Sequence, residues 1–299
     1  MTKRRNLLTG LALAGAATLA LAGCAGTSDG DAATDGPADR PIEIAVFNGW
    51  DEGIAASYLW QAILEEKGYD VNLTYADVAP VYQGLAGGDF DIVLDTWLPT
   101  THADYMDRYG DDVDDLGAWN DEAKLTIAVN EDAPIDSLDE LAAASGTFGD
   151  RIIGIEPGSG LMRITGDDVV PGYGLDGLEL VESSTPAMLA ELKKATDAGQ
   201  NIAVTLWRPH WAYNAFPVKD LKDPKGLLGD AESIHSVGAK SFATDFPEVH
   251  DWISNFRMPS ETLYSLEDAM FNQASGDDYG PVVKKWIAEN QEWVDALTS

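Results

Sequence analysis

From Pro41 onward the chain alternates two apolar patterns. Short runs rich in β-branched residues, Ile42 to Phe47, Phe90 to Leu94 and Ile202 to Leu206, predict strands of a parallel sheet buried on both faces. Between them Ile54, Tyr58, Leu59, Ala62 and Ile63 follow helical spacing, and Gly68 closes that helix. Val71 to Tyr75 predicts a strand, Val81 to Ala86 a short helix, and Lys124 to Val129 a further strand.

A second series starts near Pro134. Asp136-Ser137 can cap a helix over Leu138 to Ala144, and Ile152 to Ile155 predicts a strand that ends in the turn Glu156-Pro157-Gly158-Ser159-Gly160. Leu161 to Val170 reads as helix and Glu179 to Glu182 as strand. Thr185-Pro186 opens the helix Ala187 to Ala198, which Gly199 closes. After a strand near Ile234, three helices follow over Pro247–Phe256, Ser260–Asn272 and Pro281–Asn290. Alternating strands and helices predict an α/β fold in two lobes with a ligand cleft between them. Residues 42–130 and 234–299 form the first lobe, and 131–233 the second.

Each of the three buried runs leads to an indole: Trp50 after the first, Trp97 after the second and Trp207 after the third. Ligands of open α/β sheets bind beyond the carboxyl ends of strands, so three tryptophans there imply an aromatic-walled site. A quaternary ammonium group has no N–H to donate but is attracted to ring faces, each desolvated contact contributing about 2 kcal/mol. Three faces amount to roughly 6 kcal/mol if additive, enough for binding between millimolar and micromolar. The other six tryptophans lie in helical or loop contexts, where packing explains them. A ligand carboxylate would suit the helix start Asp51-Glu52-Gly53-Ile54, where free N–H groups attract anions. Asp51 is equally suited to capping that helix, and His210 to a structural turn or to an acid group of the ligand.

Charge narrows the partners. The net charge is −32, and Lys3, Arg4 and Arg5 leave 16 basic against 51 acidic side chains beyond residue 23. Such a surface repels nucleic acid and anionic headgroups. Catalysis finds little support: the four histidines are scattered without metal-ligand spacing, and no Gly-x-Ser-x-Gly elbow occurs. No cofactor is expected. A phosphate cradle fails for want of a Walker pattern. A hydrolase using paired carboxylates and a sugar receptor remain as alternatives, the latter needing more hydrogen-bonding groups than the three stretches supply.

The N-terminus reads as an export signal over residues 1–23: a basic start and an apolar run Leu7 to Leu21, shorter than the roughly 20 residues of a membrane span. Leu21-Ala22-Gly23-Cys24 resembles the lipobox of bacterial lipoproteins, which implies lipidation of Cys24 and a membrane anchor on the extracytoplasmic face. Lys3-Arg4-Arg5-Asn6-Leu7-Leu8 faintly resembles a twin-arginine signal. As the only cysteine, Cys24 leaves no intrachain disulfide. Residues 24–41, small and polar, form a tether.

Five stretches taken in order carry a family resemblance. Gly49-Trp50-Asp51-Glu52-Gly53-Ile54-Ala55, Asp95 to His102, Gly154 to Gly160, Glu182 to Met188 and Leu206 to Trp211 resemble the glycine betaine-binding proteins of ABC importers. The resemblance covers Pro41 to Ser299 and implies a two-lobed periplasmic-binding-protein fold, a tryptophan cage and delivery of ligand to a membrane permease. It further implies a monomeric, non-enzymatic receptor. Trp97 and Trp207 match cage tryptophans, and Gly53 and Ile54 the backbone amides that hold the carboxylate. One departure is Met258, where some betaine binders have a further cage tryptophan; its thioether is polarizable but offers no π face. Trp50 matches a tryptophan of choline binders, whereas Leu125 stands near where those proteins carry a tyrosine. Glycine betaine leads the expected ligands, with choline, carnitine and proline betaine behind it. The expectation is that rings, not acidic side chains, grip the cation.

Overall fold

A computed structural model describes residues 40–299 apart from 274, 275 and 277. The export signal, Cys24 and nearly all of the tether lie outside the described residues. Among those described, no helix is long and apolar enough to cross a membrane.

The first lobe begins with β1 (Ile42–Phe47), α1 (Asp51–Glu66), β2 (Val71–Ala76), α2 (Val78–Gly87), β3 (Ile92–Leu98) and α3 (Ala103–Tyr109). β1 runs parallel to both β2 and β3, as expected of βαβ units. An 18-residue strand, β4 (Val113–Asn130), then crosses into the second lobe. There follow β5 (Arg151–Ile153), α4 (Gly160–Ile164), β6 (Glu179–Val181), α5 (Thr185–Asp197), β7 (Ala203–Arg208) and β8 (Val218–Asp220). The chain returns through β9 (Glu232–Ala239) to α6 (Pro247–Ser254), α7 (Ser260–Glu267) and α8 (Gly280–Glu289). The strand order is β2-β1-β3-β9-β4-β7-β5-β6, with β8 also on β4.

β4 is what joins the lobes. Its residues Val113 to Ala123 pair antiparallel with β9, and Lys124 to Val129 with β7. The change of partner therefore falls at Ala123/Lys124, seven residues before the crossing expected at 130. The return strand starts at Glu232, beside Ala123. The sequence concealed the first half of β4 because its ladder slips three times between Asp115 and Ala123, so no clean alternation survives.

Local signals otherwise act as expected. Ser137 and Glu140 form a capping box on the turn Leu138–Leu141, and Ser184 caps α5 by accepting from Ala187 N. Helix α1 differs: its cap is Trp50, with no side-chain cap bond, and Asp51 is the first helical residue. The segments 165–169 and 268–273 are π turns inside stretches expected to be regular helix. Both α/β layers bury their strands: β1, β3 and β7 are apolar and covered almost throughout.

Candidate ligand-binding site

Trp50, Trp97 and Trp207 meet at one hollow between the lobes, with a volume of about 280 Å³ including its mouth. The rest of its wall is Glu52, Thr101, Leu125, Ile155, Ser159 and Leu161. The indoles are only 6%, 3% and 3% exposed, so a ligand here sits largely out of water. Two of them are not beyond their strands, as the sequence suggested, but inside them. Trp97 pairs with Ile234 and Trp207 with Leu125, because neighbouring antiparallel strands extend the ladder past the β-branched run.

Each ring is held from behind. Trp50 stacks on His102 with centroids 5.5 Å apart and meets Phe47 edge-on at 4.8 Å. Trp97 N donates to His102 Nδ1 (2.8 Å), which leaves the imidazole proton on Nε2. Trp97 Nε1 donates to Asp95 Oδ1 and Trp207 Nε1 to Glu52 Oε2, both at 2.9 Å. Trp207 also abuts His210 edge-on at 4.7 Å. Trp50 Nε1 is buried without a protein partner. Thr101 is fixed by Glu232, whose carboxylate accepts from Thr100 N (2.7 Å), Thr101 N (2.8 Å) and the Thr101 hydroxyl.

The lobes approach closely around the hollow. A Cβ at Gly160, on α4, would overlap the Thr101 carbonyl oxygen of the opposite lobe. At Gly53 it would overlap the Asp95 carboxylate, so glycine there lets α1 lie against β3.

Behind the rings lie four buried carboxyl groups: Asp51, Glu52, Asp95 and Glu267. Among the described residues none has a lysine or arginine partner; His210 Nε2 lies 3.7 Å from Asp51 Oδ2. Burial pushes Asp51 up to about 7, with the Glu156 charge adding and the Trp211 bond opposing. Burial also raises Glu52, Asp95 and Glu267, and their mutual repulsion adds to it. His102 and His210 move the other way, down to about 3, since burial disfavours the imidazolium. Both are therefore neutral rings at ordinary pH.

Other residues singled out by sequence fall elsewhere. Gly53 and Ile54 lie in the first turns of α1 but do not line the hollow, and Ile54 N donates to Trp50 O within the helix. His210 is fully buried behind Trp207 and accepts from Ala212 N through Nδ1. Met258 is buried against Trp119, to whose carbonyl its N–H donates, and is not in the lining. Glu52 is what the sequence reading missed: an acidic side chain stands in the wall beside the rings. The signal was faint, since Glu52 was visible only as one acid in a helix start. Asp95 was plainer, an acid interrupting a buried strand two residues before Trp97.

Comparison with known proteins places the chain in a family. A glycine betaine/carnitine transport binding protein of Listeria monocytogenes is 35% identical over 152 residues, 49% of each chain; the match thus spans about half that relative's length. The lactococcal OpuAC, crystallised closed with glycine betaine, superposes at a TM-score of 0.80 and 30% identity over 87% of this chain and all of that one. A choline-binding protein in complex with choline gives 0.78 and 25% identity, over 86% and 91%. Those structures share the two-lobed binding-protein fold. Residues 40–289 match the family described as the substrate binding domain of ABC-type glycine betaine transport systems, and the chain belongs to that family.

Proposed function

We propose that the hollow is a tryptophan cage that binds the trimethylammonium group of glycine betaine or a close relative. One observation carries this reading: indoles from three separate segments, Trp50, Trp97 and Trp207, converge on a single desolvated space. A methylated ammonium there gains ring attraction of up to about 2 kcal/mol per desolvated face. Trp50 Nε1 is a donor for the ligand's polar arm. The lining has few hydrogen-bonding groups, Glu52, Thr101 and Ser159, which suits a methylated cation better than a sugar. Calorimetric titration with glycine betaine is the test, and wild-type affinity in Trp207→Ala would rule the cage out.

Glu52 favours a second reading, choline. An ionised Glu52 in the wall attracts a ligand of net positive charge and repels a betaine carboxylate, whereas a protonated one can donate to that carboxylate. The ratio of choline to glycine betaine affinity separates the two readings. The receptor is further proposed to be monomeric, to be tethered by lipid at Cys24 on the extracytoplasmic face, and to hand its solute to a membrane permease. The export signal and the family membership support this.

A further inference from the structure

Two indole hydrogen bonds cross from one lobe to the other. Trp207 Nε1 donates to Glu52 Oε2 over 2.9 Å, and Trp211 Nε1 to Asp51 Oδ2 over 2.5 Å. The donors sit at the end of β7 and just beyond it in the second lobe; the acceptors form the first turn of α1 in the first. Both acceptors are buried. The Arg163–Asp104 ion pair also joins the lobes, at 3.1 Å, but it is exposed on both sides and such pairs contribute little.

We propose that Asp51 and Glu52 are latch residues, which hold the second lobe against the first by accepting the Trp211 and Trp207 indole hydrogens. They thereby set how firmly the protein shuts on its ligand. The proposal rests on reading the hollow between the lobes as the ligand site. Asp51 does not line that hollow, so its part is to position, not to touch the solute.

A latch of this kind responds to protons. In the shut cleft Asp51 faces Glu52 on its own helix, Glu267 from α7, Tyr75 from β2, and Glu156 and the neutral His210 from the other lobe. With the lobes apart it meets water and titrates near the ordinary value of about 4. Shutting raises it to about 7. The shut state thus holds the proton more tightly, and shutting takes one up. Its advantage is full below about 4, is lost as pH rises to about 7, and is flat beyond. The protonated carboxyl keeps a carbonyl oxygen for the indole, so the latch survives neutralisation.

The test is calorimetric titration of the full chain with glycine betaine and with choline between pH 5 and 8.5. Two buffers of different ionisation enthalpy are used, with small-angle scattering to follow compaction. Wild-type affinity should fall about tenfold or more from pH 5 to 7, with proton uptake, any further fall toward pH 8 belonging to Glu52. Asp51→Asn should remove Asp51's share of the fall between pH 5 and 7, leaving that of Glu52, while keeping the affinity seen near pH 5. Asp51→Ala should lose that pH dependence too, bind about tenfold more weakly than Asp51→Asn at every pH, and compact less. A flat wild-type profile without proton uptake overturns the proposal and needs no variant. So does Asp51→Ala that binds and compacts like the wild type. If Trp97→Ala loses binding while Asp51→Ala does not, the cage stands and the latch falls. Unchanged binding by Trp97→Ala sinks the cage itself, and the latch with it.

Discussion

The two walls of the cleft are built from opposite chemistry. The first lobe brings Trp50 and Trp97 together with a cluster of four buried carboxyl groups, Asp51, Glu52, Asp95 and Glu267. The second brings indole donors, Trp207 and Trp211, and an aliphatic and hydroxyl lining of Leu125, Ile155, Leu161 and Ser159. Asp51 and Glu52 find indole partners on the opposite wall. Asp95 instead accepts from Trp97 of its own lobe. The lesson is that the hollow takes its lining from both lobes and exists on neither alone.

Trp207→Ala should break the contrast most severely, since it removes both a ring face and a cross-cleft donor. Loss of about 2 kcal/mol of ring attraction is roughly thirtyfold in affinity, and the lost bond to Glu52 adds to it. Titration calorimetry reads the change. Next comes Gly160→Val, which places a side chain where Thr101 of the other wall now sits. Affinity should drop about tenfold with little change in the thermal stability of the ligand-free protein, because only the fit between lobes is spoiled.

Glu52→Gln tests the acidic side of the comparison. It keeps an acceptor for Trp207 and removes the charge, so the choline to glycine betaine affinity ratio should fall about fivefold at pH 8.5 and less at pH 5.5. The buried imidazoles behave in the contrary sense. His102 titrates near 3 when folded and near 6.5 when unfolded, so its contribution is full above about 6.5 and is lost as pH falls toward 3. The stability gap between wild type and His102→Gln, measured by denaturant unfolding, should narrow by up to about 1.4 kcal/mol per pH unit below 6.5. Leu125→Tyr gives the smallest effect and sharpens the contrast by adding a ring to the aliphatic wall. Choline affinity should rise a few-fold, as about 0.5–1 kcal/mol of ring attraction implies.

Much of this was legible in the chain. Apolar runs at Ile42, Phe90 and Ile202 marked buried strands, and the indole near each pointed to a shared site because strand ends cluster in α/β sheets. The carboxyl cluster was not legible, since 51 acidic residues leave no way to tell which few are buried together behind the rings. Nor was the lobe crossing. Val113 to Ala123 mixes Asp114, Asp115, Asn120 and Asp121 among its apolar residues, and slipped pairing with β9 blurs whatever period is left. His210 and Met258 support the rings from behind or lie beyond them, a distinction of depth that spacing along a strand does not carry.

That crossing strand also governs how the halves can part. Because β4 runs unbroken from one half into the other, with β9 beside it, the lobes are not beads on a slack thread. β9 starts beside Ala123 and β7 takes over from Lys124, so the halves are joined by β4 at that point and by the chain entering β9 at Glu232. Two connections so close together favour rotation of the halves about one axis over independent drift.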